Sequence, residues 1–79
     1  MKITKYAGKN CVKCKLLDKI LNHLKIQDIE TIYMEDVGED KLMEIGIMSL
    51  PTLIIEKNDQ KHILSGTILP QDITDIINE

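Results

Sequence analysis

Around residue 11 the apolar period of this chain changes from about two residues to about 3.6, and both of its cysteines, Cys11 and Cys14, lie at the change. Ile3 and the alternation of charged and apolar residues around it predict a short strand over residues 2 to 6. Ala7 to Asn10, with Gly8 and Asn10, reads as a loop. From Val12 onward, Val12, Leu16, Leu17, Ile20, Leu21 and Leu24 form one helical stripe, with Lys13, Lys15, Asp18, Lys19 and Asn22 on the other face. The spacing predicts a helix over 12 to 25. A strand that feeds a helix through a short loop commits the chain to layered α/β packing.

The rest of the chain extends that pattern. Residues 29 to 34 are β-branched and aromatic enough to form a second strand. Asp36, Val37 and Gly38 read as a break, and Glu39 to Gly46 as a short helix with Leu42 and Ile45 inward. Ser49-Leu50-Pro51-Thr52 leads into Leu53-Ile54-Ile55, an apolar run expected to be a central strand buried on both faces. Lys57 to Gln60 is a turn cluster, and Lys61 to Leu64 returns as a hairpin partner. Ser65-Gly66-Thr67 breaks the chain, and Pro70 opens a last helix with Ile73, Ile76 and Ile77 on one face. The predicted order is β-α-β-α-β-β-α. The first two strands should pair in parallel through a right-handed crossover. No internal repeat, linker or low-complexity run interrupts it.

Seventy-nine residues make one small domain, whose folded state buries only about 60% of the unfolded surface. With two Tyr, no Phe and no Trp, the core must be aliphatic, and 14 isoleucines supply much of it. The longest apolar run, Leu53 to Ile55, falls far short of the ~20 residues of a membrane span, so no membrane role is expected. The first residues do not read as a signal peptide, and the expected location is the cytoplasm. A net charge of −3 argues against nucleic acid as a partner. That total hides a polarity: residues 1 to 25 carry seven Lys and one acid, Asp18, whereas residues 26 to 79 carry three Lys and twelve acids. There is no Arg, which excludes a bidentate guanidinium site.

Two cysteines three positions apart close too small a loop to staple a fold, so the pair is there for chemistry or for a metal. Its place at the start of a helix favours chemistry. Unpaired N–H groups and partial positive charge at a helix N-terminus favour the thiolate, which is the reactive form of cysteine. Lys9, Lys13 and Lys15 should add to the effect. Cys11, just outside the helix, is expected to be the more exposed thiol and the nucleophile. Cys14, one turn in, is expected to face the core and to resolve the mixed disulfide, leaving a Cys11–Cys14 disulfide. Zinc is the metal alternative, but the second cysteine pair is missing, and His23 and His62 have no ligand spacing. No bound metal or cofactor is expected; the redox-active disulfide carries the electrons.

Pro51 opens a strand that needs its backbone donors, so it is either an ordinary trans proline at the strand start or a cis proline beside the cysteine pair. The partner-binding surface should comprise Tyr6, Lys9, Asn10, Val12, Lys13, Leu50 and the Ser65-Gly66-Thr67 turn.

The strand Lys2-Ile3-Thr4-Lys5-Tyr6, the Cys11-Val12-Lys13-Cys14 motif opening a helix, Ser49-Leu50-Pro51-Thr52 and the Ser65-Gly66 turn resemble the thioredoxin-like superfamily. The likeness runs in order over essentially the whole chain. Within the superfamily it is most similar to the NrdH-type redoxins, glutaredoxin-sized proteins with thioredoxin-like activity. The resemblance implies a mixed four-stranded sheet flanked by three helices, Cys11 as nucleophile, Cys14 as resolving thiol and Pro51 as the cis-proline. It also implies a monomer reduced by a thioredoxin reductase-like flavoprotein and donating electrons to a protein disulfide such as that of ribonucleotide reductase.

Several positions depart from these relatives. Those redoxins commonly carry Trp-Ser-Gly-Phe-Arg-Pro, where this chain has Leu64-Ser65-Gly66-Thr67-Ile68-Leu69-Pro70, with one residue added before the proline. The Cys-Pro-Tyr-Cys motif and Gly-Gly turn of glutathione-linked glutaredoxins are absent, so glutathione is the alternative reductant rather than the expected one. Asn10 stands where thioredoxins have Trp, and Lys5 stands roughly where they bury an acid beneath the pair. The alternative from another class is a non-enzymatic binding module on the same fold.

Overall fold

A computed structural model describes residues 1–79, and it places β1 (Lys2–Ala7) in the interior of a four-stranded sheet of order β2-β1-β3-β4. β2 (Ile29–Tyr33) runs parallel to β1, from Ile3 opposite Ile29 to Ala7 opposite Tyr33. β3 (Thr52–Lys57) runs antiparallel to β1, from Lys2 opposite Glu56 to Tyr6 opposite Thr52. β4 (Gln60–Ser65) closes a hairpin with β3 through Asn58 and Asp59, both left-handed. Two successive residues at positive φ give the turn the twist that a two-residue hairpin requires.

Residues alternate across β1. Ile3, Lys5 and Ala7 point to one face; Thr4 and Tyr6 point to the other. On the first face Ile3 meets Leu53 and Ile55 of β3, Leu17 and Leu21 of α1 (Val12–His23), and Ile73 and Ile76 of α4 (Pro70–Ile77), with Ile68 closing the cluster. This aliphatic core fixes α1 against the sheet and thereby the position of its N-terminus. Outside that cluster Leu42 and Ile47 are also buried. They belong to α3 (Glu39–Glu44) and the segment after it.

An eight-residue helix such as α4 is too short to hold itself in water, and two features support it. Ile73 and Ile76 are buried in the core. At its far end the Lys57 ammonium donates to the carbonyls of Ile76 (3.3 Å), Ile77 (2.6 Å) and Glu79 (2.7 Å), satisfying acceptors that a helix C-terminus leaves free.

The sheet and its pairing agree with the sequence reading, while the helices differ in three respects. There are four helices rather than three, because Met34–Val37 forms a turn of its own, α2. β1 ends at Ala7, opposite Tyr33, so Met34 has no ladder partner. The chain coils at once, Gly38 N–H donating to Met34 O at 2.7 Å, and Gly38 at φ 91° separates α2 from α3. α1 ends at His23 rather than 25, since Lys25 is left-handed. Ile26 N–H bonds to Leu21 O and Lys25 N–H to Asn22 O, the paired closure of a Schellman end. Ile45 is exposed at the end of α3, and Ile47 takes the buried place.

Candidate active site

Cys11 is the N-cap residue of α1. Its backbone is extended (φ −107°, ψ 113°), and its Sγ accepts the amide N–H of Cys14 at 3.1 Å. An N-cap side chain normally offers oxygen to that amide; here sulfur does so, at the positive end of the helix dipole. Three residues on, Cys14 falls on the inward stripe that continues as Leu17 and Leu21, and it is 3% exposed. Cys11 is half-buried, so it is the sulfur that solvent reaches. The two are joined as a disulfide, with Cα atoms 5.2 Å apart.

The loop before Cys11 is latched to α2. The Lys9 amide donates to both carboxylate oxygens of Glu35, at 3.2 and 3.1 Å. The Lys9 ammonium pairs with Asp36 at 3.3 Å and lies 5.8 Å from the centre of the Tyr33 ring. Lys9 is thus held by acids, whereas Lys13 and Lys15 are exposed on α1. Gly8 is the point of closest approach. A Cβ there would lie 3.4 Å from Leu50 Cδ1, 3.5 Å from Cys11 Cβ and 3.9 Å from Glu35 Oε2. That spacing brings Leu50 and Cys11 to either side of one glycine.

The Leu50–Pro51 peptide bond is cis, and Pro51 is fully buried. Its carbonyl accepts the Gly66 amide at 3.0 Å, and the Thr52 hydroxyl donates to Ser49 O at 2.6 Å. The first bond ties the start of β3 to the Ser65-Gly66-Thr67 turn at the end of β4, and the second closes the segment around Pro51. That turn faces α1: Gly66, Thr67, Ile68 and Leu69 share a groove of about 370 Å³ with Lys13, Leu16 and Ile20. Val12 and Leu16, expected in the buried helical stripe, are instead exposed, Val12 at 73%. The inward stripe runs through Cys14, Leu17 and Leu21, which turns Val12 and Leu16 toward solvent beside the cysteines.

The structure therefore gathers Cys11, Val12, Lys13, Cys14, Leu50, Gly66 and Thr67 around one end of the sheet. Lys9 and Asn10 lie on its rim, exposed. Tyr6 departs from this group: it points to the opposite face of β1 from Ala7. His23 is exposed at the end of α1, and His62 on β4 lies 3.3 Å from a Glu79 carboxylate oxygen. No group of three or more His, Cys, Asp or Glu side chains gathers to hold a metal ion.

Two arrangements escaped the sequence reading. Glu35 and Asp36 hold the Cys11 loop, although nothing local marks them. Asp18, placed on the outer face of α1 by its spacing, reaches inward instead to the Lys5 ammonium on β1. Its signal was visible: it is the one acid among the first 25 residues.

No protein-family model matches the sequence, and the search of curated proteins returned no match. Solved structures do resemble the fold. Thioredoxin 1 from Thermosipho africanus is 20% identical, with a TM-score of 0.72 over 99% of this chain and 91% of that one. Oxidised thioredoxin O2 from Arabidopsis thaliana is 17% identical, with a TM-score of 0.71 over 98% of this chain and 71% of that one. Reduced Schistosoma mansoni thioredoxin is 23% identical, with a TM-score of 0.67 over 96% and 74% of the two chains. The chain has the thioredoxin fold, with its two cysteines at disulfide distance where β1 gives way to α1.

Proposed function

We propose that this protein is a dithiol–disulfide oxidoreductase that reduces protein disulfides through Cys11 and Cys14. The observation that carries the reading is the placement of the Cys11 sulfur. It caps α1, accepts the Cys14 amide and is the outer member of the pair. An amide N–H and a helix N-terminus both favour the anion that attacks.

In the reduced protein the Cys11 thiolate attacks a sulfur of the substrate disulfide and expels the other as a thiolate, forming a mixed disulfide. Cys14 loses its proton and attacks Cys11 Sγ. The Cys11–Cys14 bond forms as the mixed bond breaks, and the second substrate sulfur leaves as a thiolate. Two electrons pass from the cysteine pair to the substrate, and its two departing thiolates take up the two protons released by the pair.

The docking surface consists of Val12, Lys13, Leu50 and the Ser65–Thr67 turn, with Lys9 and Asn10 at its margin. Exposed Val12 and Leu16 offer apolar contact, and Lys13 and Lys15 suit an acidic patch on the partner. The protein acts as a cytoplasmic monomer, reduced by a thioredoxin reductase-like flavoprotein and serving a protein disulfide such as that of ribonucleotide reductase. The resemblance of its motifs to NrdH-type redoxins supports that assignment.

The test is insulin reduction, run with dithiothreitol, with thioredoxin reductase plus NADPH, and with glutathione plus its reductase. The protein should accelerate turnover in the first two, and Cys11→Ser should abolish the acceleration. Cys14→Ser should trap a mixed disulfide on Cys11. Failure to accelerate even the dithiothreitol reaction overturns the proposal.

A further inference from the structure

The chain has four methionines, and three of them, Met34, Met43 and Met48, line one cleft of about 400 Å³. Leu42 and Ile47, both buried, share that cleft with Leu50. Leu50 joins it to the cysteine pair. Leu50 and Cys11 stand on either side of Gly8, where a Cβ would lie 3.4 Å from Leu50 Cδ1 and 3.5 Å from Cys11 Cβ. Met48 is 81% exposed and Met43 56%, so core packing accounts for neither. Apolar side chains gathered in one open cleft beside a reactive pair mark a contact for another molecule.

Methionine suits such a contact, because its unbranched, polarizable side chain adapts to partners of different shape. The cleft continues from Leu50, already part of the docking surface. Its occupant is therefore an apolar side chain of the protein substrate, close to the disulfide under attack. The same thioether is chemically vulnerable, since a hydroperoxide converts it to a polar sulfoxide. In that step the O–O bond breaks and an S–O bond forms. The sulfur is oxidised by two electrons, and hydrogen peroxide is reduced to water. Cys11 and Cys14 do not compete while they are joined as a disulfide, because neither then offers a thiolate. The methionines are the sulfurs left to react.

We propose that Met43 and Met48 are sulfoxidation sites at which a hydroperoxide weakens the docking of protein substrates and leaves the dithiol chemistry intact, building on the oxidoreductase reading above. A sulfoxide oxygen pressed against an apolar side chain has no hydrogen-bond partner, which weakens the contact about fivefold or more. A disulfide too small to fill the cleft is indifferent to the change. Methionine sulfoxide reductases reverse it, taking two electrons from a dithiol and releasing water. Met1, 70% exposed at the opposite end of β1 from the cysteines, undergoes the same oxidation without touching the cleft. It is an internal control.

The experiment treats the disulfide-bonded protein with hydrogen peroxide, removes the excess with catalase, and reads each methionine by peptide mapping and mass spectrometry. Met48 and Met43 should gain oxygen before the half-buried Met34. The KM for insulin should then rise about fivefold or more, while kcat and the rate with hydroxyethyl disulfide stay within about twofold. Methionine sulfoxide reductases A and B with dithiothreitol should restore the KM. In the Met43→Leu, Met48→Leu double variant, peroxide still oxidises Met1 and should leave that variant's own KM where it stood. A KM that stays within about twofold once both methionines are oxidised overturns the proposal. So does a double variant as sensitive as the parent, or an equal loss with hydroxyethyl disulfide. If the double variant does not fold by circular dichroism, graded oxidation of the parent decides. A rise in KM that follows Met43 and Met48 supports the proposal, and one that follows Met1 or Met34 refutes it. An untreated parent that never reduces insulin sinks the functional reading instead, and the order of oxidation then decides whether Met43 and Met48 are the sites.

Discussion

Limited alkylation of the reduced protein separates the roles assigned to the two sulfurs. Cys14 is 3% exposed and shares its helical stripe with Leu17 and Leu21, so a reagent reaches its sulfur only after the start of α1 opens. Cys11 needs no opening. Local opening of a packed helix end by about 2–4 kcal/mol populates the open form at roughly one part in thirty to one part in a thousand. Iodoacetamide at less than one equivalent should therefore label Cys11 at least about thirty times faster than Cys14. Peptide mapping by mass spectrometry gives the ratio directly. In concentrated guanidinium chloride, where α1 is gone, the two rates should converge. Comparable labelling of both cysteines in the folded, reduced protein would refute the division into an outer nucleophile and an inner resolving thiol.

Other perturbations test the scaffold and the surface. Lys57→Met removes the donor to three carbonyls at the end of α4 and should cost about 1–2 kcal/mol in urea unfolding followed by circular dichroism, with Lys61→Met as a neutral control. Lys25→Gly relieves the left-handed conformation that ends α1 and should stabilise the fold by about 0.5–1 kcal/mol; a loss of stability would contradict the helix end described here. Leu17→Ala opens the centre of the core and should cost about 2–5 kcal/mol in the same assay. Changing Lys13 and Lys15 together to Gln should slow thioredoxin reductase-coupled turnover at low salt and leave the high-salt rate nearly unchanged; equal rates at low salt would remove the acidic-partner argument.

The sheet was legible because its evidence is periodic. Alternation in β1, the apolar run of β3 and the Asn58-Asp59 turn each carry a local signal. The cysteine pair was legible for the same reason: its meaning comes from the switch of period beside it. What escaped depends on three-dimensional partners. Val12 and Leu16 fit a helical stripe on paper. Yet the stripe that meets the sheet passes through Cys14, one small residue that a hydrophobic pattern undervalues. Lys5 stood at the position where thioredoxins bury an acid, with no partner marked for it, and Asp18 looked like one charge on an outer face. Each is explained only by the other, across 13 positions of sequence. Likewise Met34 looked like strand until the length of β1 decided where pairing stops.

Since Cys14 is a member of the interior stripe as well as half of the disulfide, the couple and the folding equilibrium form one thermodynamic cycle. The difference in unfolding free energy between the oxidised and reduced chains must equal the difference between the exchange equilibria of the native and the denatured cysteine pair. Two denaturant titrations, one with and one without excess reductant, would therefore weigh the electron affinity of the native disulfide against that of the unfolded one, with no protein partner in the tube.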